Sequence, residues 1–149
     1  MKLFSSTWHL AARFFTSLSS APPSTEDQEW VEERLSAAEL ALWSRQSNPD
    51  RRHSTIVARR FVDLRGSATD AEVAGALLHD VGKLECGLGT FRRVAWTLVG
   101  SHGPGFTAYH DHEDVGARMA ADAGADPATV ELIAGGGPAF SDLDECDRA

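Results

Sequence analysis

The chain has 149 residues, of which 42% are hydrophobic and 24% charged, a composition typical of one globular domain with a genuine core. Its 22 acidic and 14 basic residues give a formal net charge of −8, which argues against non-specific binding to nucleic acid or to an anionic membrane. No apolar run of about 18 residues is present, so we expect no stable membrane insertion. The two cysteines, Cys86 and Cys146, form no CxxC motif, and we expect them to be free thiols in a cytoplasmic protein.

Residues 1–24 are predicted to form an N-terminal amphipathic helix followed by a linker. The apolar residues between 8 and 18 include three aromatic side chains, but His9 and Arg13 interrupt the run, which argues against a signal peptide. Residues 19–24 are three serines, two prolines and one alanine, a linker-like composition. We expect the helix to pack on the domain rather than on a membrane.

Residues 25–149 carry repeated helix signals and no alternating pattern of useful length that would indicate strands. Thr25, Ser36 and Thr69 are each followed three residues later by Gln or Glu, the pattern of a capping box. Helices are predicted to begin at these three residues and to cover residues 50–64, 90–99, 111–123 and 126–133. The helix that begins at Thr69 is expected to extend to Cys86, residues 100–105 to form a loop, and the last eleven residues to form a turn or short helix. The sequence therefore predicts an all-α domain of about six to eight helices.

The most informative segment is the apolar stretch 71–84, which contains the adjacent residues His79 and Asp80. In a continuous helix, Asp80 would share one face with Val73 and Leu77, so its carboxylate would be buried. A buried carboxylate is costly unless it is paired with a cation or binds a metal. With a histidine adjacent, a divalent metal ion is the leading candidate for that cation.

Two further histidines are predicted to face the interior from other helices. His53 shares a helix face with Val57, Phe61 and Leu64, and His112 shares one with Met119. Each alone is explained by an ordinary core position, but three inward histidines and one aspartate on separate helices favour a metal site. Basic residues accompany these groups: Lys83 follows His79 by four residues, and Arg51 and Arg52 precede His53. Lys83 and Arg52 are candidates for binding a phosphate, although solvent-exposed positions explain them as well.

His53 followed by His79-Asp80, in Leu77-Leu-His-Asp-Val-Gly-Lys83, resembles the signature of the HD-domain metal-dependent phosphohydrolase superfamily, in its small HDxGK form. The segment from Tyr109 to Ala117 resembles the later His-Pro-Glu-x-Gly-Ala segment of such proteins, with His112 in the place of the family histidine. The resemblance covers about residues 30–149. It implies an HD-like all-α bundle over residues 25–149.

The resemblance implies that His53, His79, Asp80 and a late aspartate bind the metal. Asp147 fits that last position best and Asp144 is the alternative. Many relatives have a His-His pair where this chain has Gly135-Gly136. That pair helps to hold a second ion, so at most one divalent ion (Mn, Co, Ni, Fe or Mg) is expected here.

The function expected from this resemblance is hydrolysis of a nucleotide or other small phosphoester by metal-activated water. Asp80, Lys83 and His112 are the candidate catalytic residues, and Lys83 and Arg52 the candidate substrate-binding residues. One alternative is a catalytically degenerate module that binds a nucleotide or a protein partner without turnover, which the glycine pair and the acidic C-terminal segment favour. A second alternative is a metal that acts only as a structural clip. The sequence does not indicate the oligomeric state.

Overall fold

A computed structural model describes residues 19–85 and 105–149, including side chains except those of residues 105–111. The described residues form seven α-helices and one 3₁₀ turn, with no strand among them. The helices are α1 (Thr25–Glu32), α2 (Ala37–Ser44), α3 (Asn48–Arg65), α4 (Asp70–Leu78), α5 (Gly105–Asp122), α6 (Pro127–Ile133) and α7 (Phe140–Arg148), and the 3₁₀ turn is Val81–Leu84. The predicted all-α fold of six to eight helices is confirmed. The predicted helices at 1–18 and 90–99 lie outside the described residues, and so does Cys86.

Side chains at the predicted caps define where most helices begin. Ser36 and Thr69 each accept a hydrogen bond from the backbone N–H three residues later, and the glutamate there bonds back to the cap, so both capping boxes are confirmed. Asp126 caps α6 ahead of a proline in its first turn, also as expected. The prediction at Thr25 was wrong by one residue, because the cap of α1 is Ser24, whose side chain accepts from Asp27 N–H.

Helix α4 lies in the centre of the bundle. Every residue from Val73 to Leu78 is buried, and a helix that is apolar on all sides must be covered on all sides. It packs against α2, α3 and α6. A Cβ on Gly75 would lie 2.8 Å from a methyl carbon of Leu132, so a larger residue there would require the Leu132 side chain to shift. The remaining contacts join α3 to α7 and to α1, and α5 to α6 and to the 3₁₀ turn.

Two predicted boundaries and one predicted buried position were wrong. The helix that begins at Thr69 was expected to run through His79 and Asp80, but α4 ends at Leu78 and Asp80 has φ −101° and ψ 3°, outside the helical region. The tighter 3₁₀ turn follows it, and its Gly82 backbone contacts α5. Helix α5 begins at Gly105 rather than at 111, so it includes part of the predicted loop. Leu64 is 49% exposed and does not share the buried face of Val57 and Phe61.

None of the helices in the described ranges is long and apolar enough to cross a bilayer.

Candidate metal centre

Helix α3 contributes His53 from its second turn. Ser47 caps the helix and Pro49 lies in its first turn, so the start of α3 is firmly defined. Next to His53, the buried Ser54 hydroxyl accepts a 3.0 Å hydrogen bond from the Trp43 indole N–H of α2. The His53 side chain is 31% exposed, which places it at the boundary between core and solvent.

His79 is held in one orientation at the end of α4. Its Nδ1 lies 2.7 Å from the carbonyl oxygen of Ala76, and a carbonyl can only accept, so Nδ1 carries the proton and donates it. The other nitrogen, Nε2, is buried and has no hydrogen-bond partner among the described residues. The side chain as a whole is only 10% exposed. The polar atoms facing this nitrogen are carboxylate oxygens of Asp147 and Asp80, at 3.5 and 3.6 Å, which are longer than ordinary hydrogen bonds and leave room for a closer partner.

The 3₁₀ turn brings the backbone after Asp80 into direct contact with α5. A Cβ on Gly82 would lie 1.8 Å from the carbonyl oxygen of His112, and a Cβ on Gly116 would lie 3.0 Å from Gly82 N. A side chain at position 82 is therefore incompatible with this backbone contact, and one at position 116 would be tight. This contact places the buried His112 beside Asp80, with Nε2 3.6 Å from Asp80 Oδ1.

Helix α7 contributes Asp147 from the last turn of the described chain. The helix is held by its buried residues Leu143 and Cys146 and by an ion pair of Asp142 with Arg65, at 2.7 Å. Arg65 also binds Glu72, the glutamate of the capping box of α4, at 3.1 Å. A single guanidinium therefore joins the end of α3, the start of α4 and α7.

These elements bring His53, His79 and Asp147 together from three helices. One ligand atom of each lies within 4.8 Å of the other two. His53 Nε2 is 2.7 Å from Asp147 Oδ1, and His79 Nε2 is 3.5 Å from the same oxygen. Ligand bonds of about 2.1 Å would place neighbouring donor atoms about 3.0–3.4 Å apart on one ion, close to these separations. Two imidazoles and a carboxylate are usual donors for first-row divalent ions.

Two of the three residues of the cluster are partly exposed to solvent. The Asp147 side chain is 40% exposed and that of His53 is 31% exposed, whereas His79 lies beneath them. An ion bound by these three residues would therefore be accessible to water and small molecules. A metal that is only a structural clip would be enclosed by its ligands, and this exposure does not favour that alternative.

Opposite charges stabilise the cluster without an ion. Burial disfavours protonation of His79, but the nearby carboxylates of Asp80 and Asp147 outweigh this effect and raise its pKa to about 9. Burial acts to raise the pKa of Asp147, but hydrogen bonding and charge from His53 and His79 hold it far below its usual range. The metal-free protein therefore carries an imidazolium at position 79 and a carboxylate at position 147 at neutral pH.

Asp80 is buried, as the sequence predicts, and the cation beside it is the side chain of Lys83. Lys83 Nζ lies 2.5 Å from Asp80 Oδ2, within a pair whose side chains are 11% and 6% exposed. The same oxygen is 3.6 Å from His79 Nε2. Asp80 thus borders the cluster of His53, His79 and Asp147 without belonging to it. The sequence predicted a cation opposite Asp80, with a divalent ion as the leading candidate, and the cation that the structure places there is the Lys83 ammonium.

The other predicted residues have definite places. Arg52 donates to the backbone carbonyls of Ser19 and Ala21, so it holds the linker on α3. Asp144 pairs with Arg148 along the exposed side of α7, and Asp147 is the aspartate that meets the histidines. Gly135 lies beside the carboxylate of Glu113, with an ideal Cβ 3.0 Å from Oε2.

Sequence reasoning missed the two groups that support the site. The Ala76 carbonyl, which orients His79, carries no sequence signal because every residue has a backbone carbonyl. Lys83 was predicted to face a phosphate, but its three-residue spacing from Asp80 is that of a helical ion pair and was the available signal. The link between Arg65 and Asp142 spans 77 residues and no local pattern indicates it.

Comparison with known proteins yields no relative: no family model, curated protein or solved structure matches this chain.

Proposed function

We propose that this protein is a metal-dependent phosphohydrolase of the HD type, acting on a nucleotide or another small phosphoester. The observation that carries the proposal is the buried His79 Nε2, which has no hydrogen-bond partner in the described part of the chain and faces Asp147 beside His53. Two imidazoles and a carboxylate form the donor set of a divalent ion, which would take the place of the proton on His79 Nε2.

The residues of the cluster would hold one ion. His53, His79 and Asp147 supply the ligands, and the Ala76 carbonyl fixes the tautomer of His79 that leaves Nε2 free to bind. Gly135 and Gly136 offer no side chain at the end of α6, which supports one ion rather than two. A divalent ion held there supplies Lewis acidity and lowers the pKa of water toward neutrality.

The residues beside the cluster handle charge and protons. Lys83 is paired with Asp80 in the metal-free protein, and its ammonium would neutralise the oxygens of a phosphate on leaving that pair. The buried imidazole of His112 lies 3.6 Å from Asp80 Oδ1, where it can hold a proton for the leaving group. A protein with a net charge of −8 needs such concentrated positive charge to accept an anionic substrate.

The test is metal binding combined with phosphate release. Protein stripped with a chelator and reloaded separately with Mn, Co, Ni, Fe and Mg is incubated with nucleoside mono-, di- and triphosphates and with p-nitrophenyl phosphate. We expect release of phosphate with at least one metal, loss of release in His79→Gln, and retention in Asp144→Asn, whose carboxylate lies outside the cluster. Nucleotide binding with no product over hours would instead identify a binding module. Absence of any bound metal would contradict both the site and the activity.

A further inference from the structure

The ion pair of Lys83 with Asp80 lies against the candidate metal centre. Asp80 Oδ2 is 2.5 Å from Lys83 Nζ and 3.6 Å from His79 Nε2. On its other side, His79 Nε2 is 3.5 Å from Asp147 Oδ1. The histidine nitrogen is thus nearly equidistant from two carboxylate oxygens, one of which belongs to the cluster while the other is held by an ammonium.

We propose that Lys83 is an internal counter-cation that competes with the metal ion for the Asp80 carboxylate. This inference rests on the proposed metal binding and adds to it that Asp80, already implied as a ligand by the resemblance, is occupied by Lys83 until the ion binds. Asp80 needs a cation because its charge is buried, and Lys83 satisfies that need while the site is empty of metal. A divalent ion beside His79 repels the ammonium and attracts the same oxygen, so the two cations exclude each other there.

The exchange has a consequence for substrate binding. After leaving Asp80, the Lys83 ammonium stays near the ion because Lys83 belongs to the 3₁₀ turn. An anion bound to the ion would then contact the ammonium as well. Metal binding and anion binding would then strengthen each other, because each favours the state in which Lys83 has left Asp80. The site would bind an anionic substrate well only after the metal has bound.

Two simpler roles for Lys83 make different predictions. If the ammonium only orients Asp80 as a supporting group, its removal weakens metal binding. If it acts only as a nearby positive charge, its removal strengthens metal binding equally whether or not residue 80 is an aspartate. Competition for the carboxylate requires that removal strengthens metal binding and that the gain depends on Asp80.

The experiment is a double-mutant cycle of wild type, Lys83→Met, Asp80→Asn and the double variant, with the dissociation constant for Co²⁺ measured by titration. We expect Lys83→Met to bind Co²⁺ about tenfold or more tightly than wild type, and the gain to disappear in the Asp80→Asn background. An equal gain in both backgrounds, or weaker binding in Lys83→Met, overturns the proposal.

Lys83→Met removes the ammonium beside a buried carboxylate, so the folding of each variant is checked by circular dichroism. If the Lys83→Met variant folds only when Co²⁺ is added, the ion has replaced the ammonium and the proposal is supported. If it does not fold even then, Lys83→Arg decides: a stronger, forked pair with Asp80 should weaken Co²⁺ binding, and unchanged or tighter binding overturns the proposal.

The outcome also separates this inference from the proposed function. Wild type that binds Co²⁺ and releases phosphate, together with a Lys83→Met variant that binds the ion less tightly, overturns the competition alone. Failure of every variant to bind Co²⁺ overturns both.

Discussion

The backbone carbonyl of Ala76 accepts a 2.7 Å hydrogen bond from Nδ1 of His79, and this bond determines which nitrogen of the imidazole faces the candidate metal centre. Because α4 ends at Leu78, the histidine folds back onto its own last turn, and its Nε2 points toward Asp147. The orientation of a ligand is therefore built into the end of the central helix, before any ion binds.

Replacing Asp147 by Asn should remove most of the affinity for a divalent ion, because it removes the one charged ligand of the cluster. We expect a loss greater than the roughly 10–100-fold that loss of a supporting hydrogen bond costs. Asp144→Asn is the matched control, since it removes the same charge from the same helix but from the exposed pair with Arg148. Titration with Co²⁺ measures both, and equal losses in the two variants would show that only the charge of α7 matters.

Replacing Gly82 by Ala should destabilise the protein by about 3 kcal/mol or more, because its Cβ would collide with the His112 carbonyl. Gly66→Ala is the control, because it introduces backbone strain without a clash. Gly66 has φ +69° and no atom within 4 Å of its ideal Cβ, so that variant should cost only about 1–2 kcal/mol. Urea unfolding gives both free energies, and similar costs would mean that the close contact of the 3₁₀ turn with α5 does not form.

The stability of the metal-free protein should fall as the pH rises above neutrality. The pKa of His79 is raised from 6.5 to about 9 in the folded state, so the contribution of its protonated form is complete below pH 6.5 and is lost as the pH passes through 9. The shift corresponds to about 3 kcal/mol as an upper bound. Urea unfolding in the presence of a chelator, at a series of pH values, measures the slope.

The control for this pH dependence is His79→Gln, which has no imidazole to titrate and should lose the slope between pH 6.5 and 9. Asp147 affects stability in acid instead. Because its pKa is lower in the folded than in the unfolded protein, it contributes stability at pH values above the unfolded pKa, and this contribution is lost as the pH falls into strong acid. A wild-type protein whose stability stays flat from pH 6.5 to 9 would show that the carboxylates do not hold the proton on His79.

Replacing Arg65 by Met should lower the urea midpoint more than the same change at Arg148. Arg65 is 22% exposed and joins Glu72 and Asp142 across three helices, whereas Arg148 is 77% exposed and pairs within its own helix. A pair on the surface of one helix contributes little. If the two midpoints fall equally, α7 is held by its apolar residues alone.

The sequence alone predicted the helices and their caps well, because these depend on residues that are close together in the sequence. The serine at 36 and the threonine at 69 meet a glutamate three residues later, and the contact needs only a helical backbone. The one misplaced cap, at Ser24 instead of Thr25, reflects two adjacent hydroxyl residues that local pattern cannot distinguish. The burial of Asp80 was also predictable, from the apolar residues around it.

The sequence by itself therefore determined that residues 19–85 and 105–149 are mainly helical, and that Asp80 is buried beside His79 and His112. Only the tertiary structure decided which of these groups meet. His53 and Asp147 are 94 residues apart, and their contact follows from how α7 packs against α3. Likewise, the cation that Asp80 faces depends on the 3₁₀ turn that follows α4. The helix does not continue through this turn, and the Gly82 backbone packs against α5 there. Local propensity acts over a few residues, whereas a site made from three helices is fixed by packing.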